Sequence, residues 1–362
     1  MKRLLIAAGG GGDAIATSLV HAALYGAGAP ALVLTYAWER LVVDPVPGPR
    51  RPADFIGTVA AGPGLHLVTP QSAPRPPAGS LLPRLAGELG PELGLLDPYE
   101  GAEGLARQIR TAARYCGADR VDVVDVGGDV VADGTEPTLR SPLGDALALA
   151  GCAAAGLPTT VYVAGPGLDS EVPEAVLLPR LGAPAFALTD RHTAVVDGVF
   201  DWHPSEASAL LVAAARGVRG VCGTRDAPQP VLLGPGSAGV HRLPLARALE
   251  LNPLARALAG STDLAQAEAA SVAVCGFSEI ARERDRARAL TPEPPAVRAA
   301  DGDPGERFAT WAAGTAATGV EYVTTRRITE ELALTSAGST LLRTALRAAG
   351  RHRPPLWRLR PG

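Results

Sequence analysis

Lysine is almost missing from this chain of 362 residues: among its 34 lysines and arginines, only Lys2 is a lysine. With alanine, glycine and proline so abundant, the bias reads as GC-rich coding rather than as a functional demand. A charge excess is missing too. The formal net charge of −3 leaves no electrostatic footprint for nucleic acid or for an anionic membrane surface. Cysteine is scarce, and Cys116, Cys152, Cys222 and Cys275 form no CxxC pair and have no histidine at ligand spacing. That excludes the usual structural zinc patterns and points to free thiols in a reducing compartment. No uninterrupted apolar run reaches the roughly 18–20 residues that cross a bilayer. The start, MKRLLIAAGG, is too short in its apolar part for a signal peptide. G-x-S-x-G, GxxxxGK[ST] and HExxH are absent, which disfavours a hydrolase elbow, a Walker-type NTPase and a zincin. The expectation is a soluble, cytoplasmic protein whose partner is a small-molecule ligand, with no nucleic acid and no membrane; a homo-oligomer is allowed.

What is present is a rhythm. Arg3–Ala8 is a short apolar run of the kind found in buried parallel strands, followed by Gly9–Gly12 and by Asp13 as a natural helix N-cap. Ala14–Gly28 has helical composition and ends at glycine, and Ala31–Trp38 is a second strand. Strand, glycine loop, helix and strand make a βαβ unit. The alternation continues with a strand at His66–Val68, a helix over Gly101–Cys116 and a strand over Arg120–Val126. Next come a helix over Ser141–Pro158, a strand over Thr159–Gly167 and a helix near Glu174–Leu181. Ser205–Val218, Leu245–Leu258 and Ala265–Val274 read as helices, Leu290–Glu306 as a surface loop rich in Pro and Ala, and GVEYVTTRRITEELAL as a last strand and helix. This predicts an α/β fold: a three-layer, doubly wound, mainly parallel Rossmann-like sheet in one domain over 1–362. The N-terminal half, about 1–170, carries most motifs, and the half from about 171 to 362 is decorated.

Ligands in such sheets bind at the carboxyl ends of the strands, so the loops after the strands are read together. GGGGDA satisfies G-x-G-x-x-A with Gly9, Gly11 and Ala14, and Gly10 and Gly12 complete the run. The acid expected on the second strand is poorly placed, the nearest being Glu39, 27 residues beyond Gly12. Asp13 at the helix start also occupies the space an anion would use, which disfavours a bare pyrophosphate and so NAD(P). The bland alternative is that the glycines only permit a tight turn. Trp38, Glu39 and Arg40 stand where the second strand ends, an aromatic, an acid and a guanidinium suited to line a pocket; an ordinary surface ion pair is the alternative. The richest stretch is VDVVDVGGDVVADGTEPTLRSPLGDA. It carries Asp125, Gly127, Gly128, Asp129, Asp133, Glu136, Arg140, Ser141 and Asp145, with five acids over 21 residues. Converging carboxylates need a divalent cation, a polyhydroxylated ligand or a raised pKa. Asp125 and Asp129 are the favoured pair, as metal ligands or general base, with Asp133 a further catalytic candidate; caps and turn acids are the alternative. GPGLDSE then adds Gly165, Gly167, Asp169 and Glu171 to the same wall. His192, His203 and His241 lie in loops without metal spacing, and DWHPSE reads as a lid or a helix start, with Ser205 as N-cap.

These motifs together resemble the domain-of-unknown-function family numbered 1152, over most of the chain. The resemblance implies a shared pocket built from Gly9–Gly12 and Asp13, Trp38–Arg40 and Asp44, Asp125–Asp129 with Asp133 and Glu136, Ser141 and Asp145, and Gly165–Gly167 with Asp169 and Glu171. It implies no settled reaction. Ser170 stands where the family's GPGxDGE pattern has a glycine. The residues favour a hydrolase or group transferase on a polar metabolite (nucleotide, sugar phosphate or amino-acid-like), with Mg²⁺ as a candidate cofactor. In that reading Asp125 or Asp129 is base or metal ligand, and Arg40 or Arg140 neutralises an anionic group. The alternatives are a nucleotide- or NAD(P)-binding protein, with Glu39 on the ribose, and a non-catalytic ligand sensor.

Overall fold

The first strand is apolar on both faces, and both faces are covered. In β1 (Arg3–Gly10), Leu4, Ile6 and Ala8 join one buried cluster while Leu5 and Ala7 join another. A parallel strand between two helix layers needs that continuous run. The computed structural model describes residues 2–225, 227, 229–289 and 303–360. It shows an α/β protein with a nine-stranded, mainly parallel sheet.

The strands of that sheet include β2 (Ala31–Tyr36), β3 (Val59–Gly62), β4 (Leu65–Val68), β5 (Glu92–Leu96), β6 (Val121–Val126), β7 (Thr159–Ala164) and β8 (Phe186–Ala187). A second, five-stranded sheet begins with β9 (Gly220–Gly223) and β10 (Val231–Leu233), and β11 (Gly239–Pro244) returns to the first. The order in the large sheet is β8-β11-β7-β6-β1-β2-β5-β4-β3. The five central strands, β7-β6-β1-β2-β5, pair in parallel, and the flanking strands are antiparallel. From β1 the chain moves outward through β2 and then crosses to β6 on the other side of β1. The reversal places the ligand crevice of such sheets beyond the carboxyl ends of β1 and β6.

Helices α1 (Asp13–Tyr25), α2 (Leu82–Glu88), α3 (Gly101–Cys116), α4 (Pro142–Ala155), α5 (Glu174–Leu181) and α6 (Glu206–Ala215) follow the strands. Core residues of α1, α2 and α6 cover one face of the sheet, and those of α3 and α4 cover the other. The single helix expected over Leu245–Leu258 is two, α7 (Leu245–Leu251) and α8 (Pro253–Ala257). Pro253 pushes Asn252 to extended backbone (φ −113°, ψ 94°), which ends the first helix. Asn252 then caps Ala255 N at 2.8 Å and donates from Nδ2 to the carbonyls of Asp129 and Val130, both at 3.3 Å.

Two further helices, α9 (Leu264–Cys275) and α10 (Glu279–Ala289), complete this part. Of the loop expected over 290–306, residues 290–302 lie outside the described residues, and Pro304–Glu306 open α11 (Pro304–Ala317) instead. The strand and helix expected in GVEYVTTRRITEELAL are β12 (Tyr322–Val323) and α12 (Thr325–Glu331). After α13 (Ser336–Ala348), strands β13 (His352–Arg353) and β14 (Leu356–Arg358) finish the second sheet around its own cluster of Phe308, Leu342 and Trp357. Among the described residues, no helix is long and apolar enough to cross a membrane.

Candidate functional site

A cavity of about 450 Å³ opens beyond β1 and β6, at the reversal of strand order. Its lining is polar and strongly acidic at the base. Asp13 enters from the first turn of α1, Asp125 from the end of β6, and Asp145 from the first turn of α4. One carboxylate oxygen from each lies within 4.8 Å of the others. Asp129, Asp169 and Glu171 stand beside them on the same wall.

Asp13 departs from its expected capping role. Gly12 is the N-cap, and Asp13, the first helical residue, turns its carboxylate back to accept the Gly9 N–H at 2.9 Å. The glycine loop is therefore packed rather than open. A side chain on Gly10 would meet the Trp38 carbonyl at 2.6 Å, and one on Gly12 would strike the Ser205 side chain. Gly11, at φ +61°, needs the left-handed backbone that glycine adopts freely. Glu39, the acid weighed for a ribose, accepts instead from Leu81 N at 2.9 Å and from Ser80 Oγ at 3.3 Å. Trp38 and Arg40, just beyond β2, line the cavity.

Gly127, Gly128, Gly165 and Gly167 lie behind the wall and shape it. All four have positive φ, and a side chain on Gly127 would collide with the Asp169 carboxyl group. Asp133 and Glu136 are a correction: both leave the cavity for Arg180, whose guanidinium holds Asp133 at 2.7 Å and Glu136 at 2.6 Å. They brace the turn after β6, where Glu136 also accepts the Asp133 and Gly134 N–H groups at 2.9 and 3.0 Å. Glu171 is a buried hub. It accepts from Arg140 N (2.6 Å), Ser141 N (2.8 Å) and Ser141 Oγ (2.5 Å), so Ser141 sits at the α4 N-cap without capping through its hydroxyl. Arg140 reaches the Asp169 carbonyl at 3.1 Å and Ser170 Oγ at 3.2 Å, stitching the two acidic loops together.

Ser170 is held at φ +64°, the left-handed conformation for which its motif position favours glycine. Ser170→Gly is expected to stabilise the protein by about 1 kcal/mol, the usual cost of a side chain in that region. Chemical denaturation would measure it. Equal or lower stability of the variant would show that the Ser170 hydroxyl bonds outweigh the strain.

Burial and mutual repulsion govern the acids. Asp125, Asp129 and Asp145 are 2%, 4% and 4% exposed, and burial drives the pKa of each well above the ordinary value. Neighbouring carboxylates add to that push. Asp13 and Asp169, only half-buried by surface but seated under the same cavity, are raised by desolvation to about 7. Asp129 and Asp169 are neighbours that titrate as one unit, and after burial the charges of Glu171 and Asp169 add to the push on Asp129. One oxygen each of Asp125, Asp129 and Asp145 is buried without any hydrogen-bond partner among the described residues. Asp13, Asp125 and Asp145 form an all-oxygen set that could hold a hard divalent cation. Asp129, paired with Asp125 as a candidate ligand from the sequence, is not one of the three acids whose oxygens converge.

The far wall was not visible in the sequence. Helix α10 presents Glu279, Arg282, Glu283 and Arg286 to the cavity at helical spacing along one face. Glu283 Oε2 accepts from Trp38 Nε1 (3.0 Å) and Gly48 N (2.8 Å), and Glu279 accepts from Leu143 N at 3.2 Å. The sequence EIARERDRARA reads as a solvated helix, and only the i, i+3, i+4, i+7 stripe of these four residues hints otherwise. His203, Ser205, Glu206, Thr224 and Arg225 close the remaining side. Glu206 accepts the Thr324 hydroxyl and the Arg225 N–H, at 2.8 and 2.9 Å for its two oxygens. The cavity wall is thereby tied to the start of α12.

No curated protein and no solved structure matches the chain. The sequence profile of one family does, over residues 4–287, a span that includes every cavity-lining residue from Gly9 to Arg286. By that match the chain belongs to the family described as protein of unknown function (DUF1152).

Proposed function

We propose that the protein is a hydrolase or group transferase that acts on a small polar metabolite, with Mg²⁺ held by Asp13, Asp125 and Asp145. The observation that carries this reading is the convergence of those three carboxylates beside the buried neighbours Asp129 and Asp169. A bound Mg²⁺ would polarise a substrate oxygen and neutralise charge developing on it. Asp129 would give the leaving group its proton, and Asp169 beside it would take up the proton lost by the attacking water or hydroxyl. Paired carboxyls whose environments separate their proton affinities are the usual means of running acid and base chemistry in one site. Arg40 and Arg140 stand on the wall where they balance an anionic portion of the substrate. The substrate classes that fit are nucleotides, sugar phosphates and amino-acid-like molecules.

A thermal-shift screen of these classes, with and without Mg²⁺, followed by turnover of each hit, tests the reading. A hit should shift the wild type most with Mg²⁺ present, and Asp129→Asn should bind it while slowing turnover by about 100-fold or more. The proposal fails if no compound shifts the wild type, or if Asp129→Asn turns a hit over as fast.

A further inference from the structure

Beside the glycine loop, the cavity meets the start of α6 through His203, Pro204, Ser205, Glu206 and Ala207. His203 is 6% exposed. Its Nδ1 accepts the Ser205 N–H at 3.2 Å, which places the proton of the neutral ring on Nε2. That Nε2–H is buried and has no acceptor among the described residues. A buried donor without a partner is destabilising, a cost usually recovered by a ligand or water. Burial also pushes the His203 pKa down to about 3, so the ring stays a neutral donor at physiological pH.

The helix it precedes is equally uncommitted at that end. Ser205 is the N-cap of α6 but makes no capping bond with its side chain, and the Ala207 and Ser208 N–H groups have no acceptor among the described residues. The ten-residue helix directs the positive end of its dipole to the same place. The Glu206 carboxylate is occupied by Arg225 N and Thr324.

We propose that His203 and the N-terminal turn of α6 form an oxyanion subsite of the cavity, recognising a phosphate or carboxylate oxygen of the substrate. This rests on the cavity being the reaction site and sharpens it: the substrate carries an oxyanion held beside the glycine loop, where Ser208 Oγ donates to the Gly12 carbonyl at 2.9 Å. The residue acts in recognition, since Nε2–H donates to the bound oxygen and no proton leaves the ring.

Equilibrium dialysis of the full chain with labelled inorganic phosphate, and separately with acetate, tests this, each with Mg²⁺ and with EDTA. Mg²⁺ binding is measured on the same samples. Wild-type protein should bind at least one of the two anions in EDTA, and the tighter one names the group on the substrate. His203→Phe should bind it about tenfold more weakly or worse, whereas His203→Gln, which keeps a donor near the Nε2 position, should stay within about threefold of wild type. The subsite is overturned if neither anion binds wild type, if His203→Phe binds equally well, or if His203→Gln is as weak as His203→Phe. Retained anion binding without any Mg²⁺ binding would overturn the metal-assisted reaction and leave the subsite standing.

Discussion

Replacing Asp125 by Asn is expected to weaken Mg²⁺ binding by about 100-fold or more, beyond the 10–100-fold typical of losing an outer-shell partner. The same change is expected to raise the melting temperature of the metal-free protein. Both effects come from one arrangement. Asp125 is buried against Asp13 and Asp169, whose charges oppose its own, and it receives the Gly128 and Val130 N–H groups. An Asn at this position still accepts from those N–H groups through its carbonyl oxygen, and its amide now donates toward the acids it formerly repelled. Removing one of several mutually repelling buried carboxyls is worth about 1–3 kcal/mol, or a few degrees in a chain of this size. A site kept at a cost to stability is the usual sign that the groups serve a ligand. Calorimetric Mg²⁺ titration and thermal unfolding in EDTA test the pair of claims. Wild-type affinity in the variant, or a lower melting temperature without metal, would remove the basis for the cation site.

Raising the pH from about 5 to about 8 is expected to destabilise the metal-free protein, and Mg²⁺ is expected to cancel most of that loss. The sign follows from burial. Asp13 and Asp169 titrate near 7 when folded and near 3.8 when unfolded, so between those values the folded chain binds more protons. Stability is therefore fully present below about pH 4 and falls as pH rises through about 7. Asp125, Asp129 and Asp145, raised further by burial, extend the decline above that window. Mg²⁺ binds the deprotonated carboxylates, so its affinity rises with pH and its binding releases protons. Thermal unfolding across this range, with EDTA or with excess Mg²⁺, gives two curves that diverge toward high pH. Parallel curves would show that the cation does not bind these carboxylates.

Strands β1, β6 and β7 and the loops after them were legible because each obeys a local rule: an apolar run, then glycines, then an acid; the short central strand β5 carries no such signal and was missed. What those loops build together was less legible. Asp125, Asp129 and Asp133 are equivalent in the sequence, yet Arg180 from α5 withdraws Asp133, and the partners that converge on Asp125 are Asp13 and Asp145. Arg180 and Asp145 come from elements further along the chain. The α10 stripe and His203 were hidden for the same reason, since a charged helix and a loop histidine take their meaning from what they face. Asp13 failed as a cap because Gly9, four residues back, competes for its carboxylate. The break at Asn252 and Pro253 was readable from the proline alone.

The bonds of Glu283 to Trp38 and Gly48 also say something about the order in which the molecule is made. A ribosome releases the acids of α1, β6 and α4 long before it releases α10, and domains fold as the chain emerges. Until residue 283 is free, the carboxylates of the nascent sheet lack their far wall and face water, where like charges repel weakly. Their mutual repulsion reaches full strength only when α10 docks, by which time the nine-stranded sheet has all its strands. Closing the cavity last lets the least favourable part of the structure form upon the most favourable part.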